Sequence, residues 1–279
     1  MAEVVGGVGT SHVPAIGAAV DRGLTDSEPW RQVFTGYEPV RTWIAEQRPD
    51  VAIVVYNDHG AAFSLDLLPT FAIGVAEVYP PADEGYGVRD IPAIHGDPDL
   101  SWHLVESLAA DDFDLTVCQR LPVDHGLTVP LSVLFGAPSE WPVRVVPIAL
   151  NVIQYPLPTP KRCLALGRAI RRAIESYEPD VRVAVVGTGG MSHQLQGTRV
   201  GHINSEFDRM FLDRIGPEPH VLAELTTTDF IREAGSEGAE LIMWLVMRGA
   251  LADEVKTLHT HYHVPVSNTA AGVIVLQDA

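Results

Sequence analysis

The chain has 279 residues, 46% of them hydrophobic and 20% charged, a balance that suits a packed core and excludes a disordered or fibrous protein. Lys and Arg total 19 against 36 Asp and Glu, so the formal charge is −17; a phosphate-tracking surface, and with it nucleic-acid binding, is excluded. Cys118 and Cys163 form no C-x-x-C pair and no apolar run approaches the ~18 residues of a membrane span, so a reduced, cytoplasmic, non-spanning protein is expected.

In chain order, short β-branched runs at residues 4–8, 51–56, 71–78, 115–118, 143–152, 181–186 and 272–276 read as buried strands. Helical patterns lie between them. Asp97-Pro98 precedes the pattern at 100–110 and Thr159-Pro160 precedes that at 163–177, each placing a cap residue before a proline suited to a first turn. Strands alternating with helices predict an α/β fold, a three-layer α/β/α arrangement around a central mixed sheet, in one domain over residues 1–279. Turn residues are densest at 79–98, and no repeat or composition shift marks a boundary.

Three predicted strands run into a turn of small or polar residues and then a histidine: Gly9-Thr10-Ser11-His12, Asn57-Asp58-His59, and Gly187-Thr188-Gly189-Gly190-Met191-Ser192-His193. Ligands of open α/β sheets bind outside the carboxyl ends of strands, so these histidines are placed to converge. A fourth, His125 in Val123-Asp124-His125-Gly126, follows the 115–118 strand and opens a helical run. Each alone could cap a turn; four together are harder to explain that way.

Glu240 enters the apolar run Leu241-Ile242-Met243-Trp244-Leu245-Val246-Met247, and helical spacing puts it on one face with Met243, Trp244, Met247 and Leu251. Its carboxylate therefore points to the apolar layer, whereas Glu237, one turn earlier, suits an exposed first turn. Two neutral imidazoles and one carboxylate suit iron(II) in a non-haem oxygenase, and equally zinc in a hydrolase. Composition does not choose between them. Gly7-Val8-Gly9-Thr10-Ser11-His12 ends in histidine where a dinucleotide loop needs glycine, and Ser192 lacks the second glycine of a nucleophile elbow. His259, His261 and His263 alternate and would share one strand face, a rival metal site that a half-exposed strand explains more simply.

The stretches Thr10-Ser11-His12-Val13-Pro14-Ala15, Val55-Tyr56-Asn57-Asp58-His59, Asp124-His125-Gly126, Gly187 through Leu195, Gly235 through Glu240, and Ser267-Asn268-Thr269-Ala270 together resemble the class III extradiol dioxygenases, specifically the catalytic β subunits of protocatechuate 4,5-dioxygenases. The similarity runs almost from end to end. The resemblance implies His12, His59 and Glu240 as Fe(II) ligands, His193 as acid/base, His125 near the substrate hydroxyl or oxygen, and Ser267 and Asn268 near the ring carboxylate. It further implies an enzyme that opens a catecholic aromatic acid with O2, protocatechuate giving a muconic semialdehyde, and a small α subunit in an α₂β₂ assembly, or a homodimer. The alternatives are gallate or methylgallate as substrate, a zinc hydrolase on the same ligands, or a metal-free binding protein. Residues 79–98 are the one candidate lid within the chain, and Asp83, Glu84 and Asp90 make them a poor cover for an anionic substrate.

Overall fold

A computed structural model of the chain describes residues 1–265 and 267–279. Its strands are β1 (Glu3–Thr10), β2 (Val51–Tyr56), β3 (Phe71–Gly74), β4 (Val78–Tyr79), β5 (Ile94–His95), β6 (Thr116–Cys118), β7 (Arg144–Leu150), β8 (Arg182–Thr188), β9 (Val255–His263) and β10 (Ala271–Asp278). The helices are α1 (Pro14–Asp21), α2 (Arg31–Thr35), α3 (Glu38–Gln47), α4 (Pro98–Ala110), α5 (His125–Phe135), α6 (Pro160–Glu175), α7 (Ser205–Ile215), α8 (Pro219–Ala223), α9 (Thr227–Ala234) and α10 (Ile242–Gly249). The expected caps are in place, with Asp97 accepting from the Leu100 N–H at 3.0 Å and Thr159 from that of Arg162 at 3.2 Å.

Eight strands form one sheet in the order β6-β3-β7-β2-β8-β1-β10-β9, and β4 pairs with β5 separately. The strands β7, β2, β8 and β1 are mutually parallel, while β3 opposes β7 and β10 opposes both β1 and β9, so the sheet is mixed as expected. Because β2 is buried on both faces it is apolar throughout rather than alternating: Val51, Ile53 and Val55 enter the core with α4, α6, α7 and α10, while Ala52, Val54 and Tyr56 enter the core with α1, α3 and α5. Those two cores are the two interfaces of a three-layer α/β/α fold.

Helix α10 lies against β1 and β8 because glycine leaves room for it. A Cβ on Gly9 would stand 2.2 Å from the Trp244 ring, and one on Gly187 would stand 2.8 Å from the Trp244 Cα. This close packing sets the start of α10, and with it Glu240, beside the carboxyl ends of the two strands.

The expected strand at 71–78 is broken in two, β3 ending at Gly74 and β4 beginning at Val78. β6 is parallel to β3 and thus opposed to β1, β2 and β8, so His125 does not reach the site from the carboxyl end of a strand on that edge. It is carried there as the first residue of α5.

Candidate metal centre and active site

Three parallel strands end level with one another, Thr10 of β1 opposite Thr188 of β8 and Val55 of β2 opposite Gly187. Each following turn is held by its own hydrogen bonds. After β1, the Ser11 hydroxyl accepts from the Gly272 N–H at 2.9 Å and ties the turn to β10. After β2, the Asp58 carboxylate accepts from the N–H groups of Gly60, Ala62 and Phe63 at 2.9 to 3.0 Å. After β8, the fully buried Asp208 of α7 accepts from the Ser192 N–H at 2.8 Å and its hydroxyl at 2.6 Å, locking the residue before His193. Gly189 in that turn has φ +137°, and a Cβ there would stand 2.7 Å from that of Glu240, so glycine is required twice over.

These turns bring His12, His59, His125 and His193 around Glu240. His12 Nε2 is 3.1 Å from Glu240 Oε2, His59 Nε2 is 3.6 Å from Oε1, and His193 Nε2 is 3.9 Å from Oε2. Glu240 is 5% exposed and stands in a 3₁₀ turn (Glu237–Leu241) that leads into α10, so the residue expected on the apolar face is buried but lies two residues ahead of the regular helix. The Gly190 N–H also donates to Glu240 Oε2 at 2.7 Å.

The outer ring nitrogens decide which inner ones are free. His59 Nδ1 is 3.0 Å from Asp124 Oδ2 and His193 Nδ1 is 2.8 Å from the Met191 carbonyl; both acceptors lack a proton, so each Nδ1 carries one. In the neutral rings Nε2 is then a bare lone pair. His12 Nδ1 has the Thr188 hydroxyl at 3.0 Å, which accepts equally well. The lone pairs of two rings would thus face a carboxylate, an arrangement that repels itself unless a proton or a cation lies between.

The charge balance follows. Burial opposes ionisation of Glu240, but His12 and His59 outweigh it and hold its carboxyl well below the usual carboxylate range. Burial pushes His12 down against the pull of Glu240. His59 resists the same burial through hydrogen bonds to two carboxylates, Asp124 and Glu240, and rises to about 10. A metal-free site therefore keeps its balancing proton on His59, and a bound cation must displace it. Asn57 stands beside this cluster, its amide nitrogen 3.0 Å from His59 Nε2 and 3.4 Å from Glu240 Oε1, while its buried Oδ1 has no partner. Two imidazoles and a carboxylate with pinned outer nitrogens fit iron(II), and the donor types alone fit zinc as well.

A cavity of about 370 Å³ opens on this cluster, walled by His12, His59, His125, His193, Glu240 and Thr269. Two apolar side chains, Ile153 and Leu195, line it at 50% and 52% exposure beside the exposed Gln196 and Ser236. Ser267 and Asn268 lie outside that lining. The Ser267 hydroxyl donates to the Thr269 carbonyl at 3.3 Å and Asn268 is exposed, so the wall residue of this stretch is Thr269. Glu237 also lines the cavity, but its Oε2 accepts from the Leu195 N–H at 3.1 Å and the Ser236 hydroxyl at 2.6 Å, away from the histidines.

Sequence reasoning missed Asp124, Asn57 and Glu84. Asp124 caps α5 through the Gly126 N–H at 2.9 Å with one oxygen and orients His59 with the other. The Asp-His-Gly run carried the signal for the cap, but not for a partner 65 residues away.

His259, His261 and His263 do share a face of β9, opposite Val275, Val273 and Ala271 of β10. His259 Nε2 donates to the Gly36 carbonyl at 2.8 Å, and the His261 ring packs on Gly36, so these rings fasten the sheet edge to the chain between α2 and α3.

A family model described as the catalytic LigB subunit of aromatic ring-opening dioxygenase matches residues 6–273. The chain belongs to that family. Among curated relatives, gallate dioxygenase of Pseudomonas putida is 45% identical over 197 residues, 71% of this chain and 58% of its own length. The 2,3-dihydroxyphenylpropionate/2,3-dihydroxicinnamic acid 1,2-dioxygenase of Photorhabdus laumondii is 30% identical over 200 residues, 71% of this chain and 59% of its own. The chain thus spans about three fifths of either relative. An uncharacterized protein of Escherichia coli K12 shares the fold with a TM-score of 0.59 at 14% identity, covering 97% of this chain and 99% of that one. The motif resemblance holds at the level of the family, and the relative at 45% identity is named for gallate rather than protocatechuate. Among the described residues no helix is long and apolar enough to cross a membrane.

Proposed function

We propose that this LigB-family chain is an Fe(II)-dependent extradiol ring-cleavage dioxygenase acting on a catecholic aromatic acid, with gallate ahead of protocatechuate. One observation carries the reading: His12 Nε2 and His59 Nε2 converge on the Glu240 carboxylate, at 3.1 and 3.6 Å, at the head of an aromatic-sized cavity. His12, His59 and Glu240 would hold the iron, which when bound brings the vicinal diol and dioxygen together and relays electron density between them.

The remaining work falls to this chain's side chains. His193, its Nδ1–H committed to the Met191 carbonyl, presents a basic Nε2 that takes a phenolic proton and later returns it as acid. His125 stacks on His59 with ring centroids 3.9 Å apart and reaches the same space, suiting it to a hydrogen bond with a substrate hydroxyl or with oxygen. Thr269 in the wall supplies a hydroxyl for ring substituents.

The substrate carboxylate meets no Lys or Arg among the described lining residues, and the apolar side chains of Ile153 and Leu195 are half exposed there. We therefore also read the site as completed by a covering segment or chain, either a small α subunit or a second copy of this chain, that brings a cation and seals out water.

Metal analysis of anaerobically purified protein, followed by oxygen uptake with gallate, protocatechuate and methylgallate, tests this. Iron with uptake of one O2 per ring supports the reading and ranks the substrates. Zinc without oxygen uptake points to a hydrolase and overturns it.

A further inference from the structure

Glu84 stands in the turn-rich segment between β4 and β5. The turn is shaped by Asp83, whose carboxylate accepts from the N–H groups of Gly85 and Gly87 at 2.9 and 3.0 Å. On one side the segment is paired to the residues before α5, Val123 donating to the Pro80 carbonyl at 2.9 Å and receiving the Ala82 N–H at 2.8 Å. On the other, Arg89 grips Asp21 of α1 at 2.6 Å and the hydroxyls of Thr128 and Ser132 on α5 at 3.0 and 3.1 Å. The segment is therefore fastened on both sides of the first turn of α5, where His125 sits.

Between those fastenings Glu84 makes a two-point grip on one residue. Its Oε1 accepts from the His125 backbone N–H at 2.9 Å, and its Oε2 faces His125 Nδ1. The first contact satisfies an amide that the helix leaves without a partner. Capping alone does not require the second.

We propose that Glu84 is a positioning residue for His125. Its carboxylate makes Nδ1 the protonated nitrogen, stops the ring from turning, and leaves Nε2 as the nitrogen presented to the cavity. The role resembles that of the carboxylates that orient metal-bound or catalytic imidazoles, here reaching a ring beside the proposed ligands His12, His59 and Glu240. The significance for turnover rests on the proposed ring-cleavage function; the link between the two residues does not.

The substitution Glu84→Gln separates the possibilities. An amide has one acceptor oxygen where the carboxylate has two, so in the same position it sets its NH2 against one of the two N–H groups of His125. Either the ring loses its acceptor or the amide NH2 meets Nδ1 and drives the proton to Nε2. Histidine labelled with ¹⁵N in metal-free protein reports this directly, the His125 Nδ1–H signal being assigned by its loss in His125→Ala. The expected result is loss or relocation of that signal in Glu84→Gln, and loss also in Glu84→Ala, which removes the acceptor without adding a donor. In reconstituted protein Glu84→Gln should lower kcat about 10- to 100-fold with KM little changed. It should add almost nothing in a His125→Ala background. Asp90→Asn, an exposed change in the same segment, should leave the signal and turnover as they were.

An unchanged ring signal in folded Glu84→Ala overturns the proposal, as does an equal fall in kcat for Glu84→Gln in both backgrounds. If the signal responds but the wild-type protein consumes no oxygen with any catecholic acid, Glu84 keeps its positioning role and the ring-cleavage reading is the one that fails.

Discussion

The molecule carries two histidine clusters that look alike as residue counts and differ in everything that makes a metal site. At the carboxyl ends of β1, β2 and β8, His12 and His59 stand with ring centroids 5.2 Å apart and both face the buried Glu240. On β9, His261 and His263 are 6.5 Å apart and lie nearly parallel, and His259 is bonded to a backbone carbonyl. Parallel strands deliver their ends to one place from distant parts of the chain, whereas alternate residues of one strand stay in a row. The first cluster also has a carboxylate at its centre and acceptors behind its rings. Imidazoles become a metal site when an anion and pinned outer nitrogens aim their lone pairs together, and spacing alone does not do that.

The most severe way to break the comparison is to remove the central anion. Glu240→Ala leaves two rings with no shared counter-charge, and anaerobically reconstituted protein should then retain iron only at background, as should His12→Ala and His59→Ala. Metal analysis checks all three, and stoichiometric iron in any of them would show that the ligand set is misassigned. His193→Ala comes next. Iron content should stay normal while turnover drops about 10²- to 10⁴-fold, the usual worth of a positioned acid/base; a loss of iron instead would place His193 among the ligands. Asp124→Asn sharpens the role of the acceptor behind the ring. It should weaken iron binding about 10- to 100-fold in a competition with chelator, because the amide can turn a donor towards His59. At the small end lie Glu237→Ala and His259→Ala, one beside the first cluster and one in the second. Both should hold iron within about twofold of wild type, because neither side chain is aimed at the His12, His59 and Glu240 donors.

Much of this contrast was legible in the sequence. Continuous β-branched runs such as 51–56 and 181–186 mark strands buried on both faces, and a glycine-rich or Asn-Asp turn before histidine marks a strand end. The burial of Glu240 followed from its register with Met243 and Trp244. What could not be read was strand direction and long-range pairing. The 115–118 run has no feature to show that β6 opposes the site strands, so the route of His125 into the site was hidden. Glu84 looked like a misplaced acid in a poor lid because its partner lies 41 residues away, and nothing local to either residue records the contact. Ser267 and Asn268 were reached through family resemblance alone, and the wall position of their neighbour Thr269 depends on the antiparallel bridge it makes with His193.

The central claim is that His12, His59 and Glu240 together hold one iron, and an anomalous difference map of anaerobically grown crystals at the iron absorption edge tests it most directly. A single peak bounded by His12 Nε2, His59 Nε2 and the Glu240 carboxylate, with none along β9, is the predicted result. A peak centred among Glu84, Asp124 and His125, or on the β9 histidines, or a signal at the zinc edge alone, would contradict it.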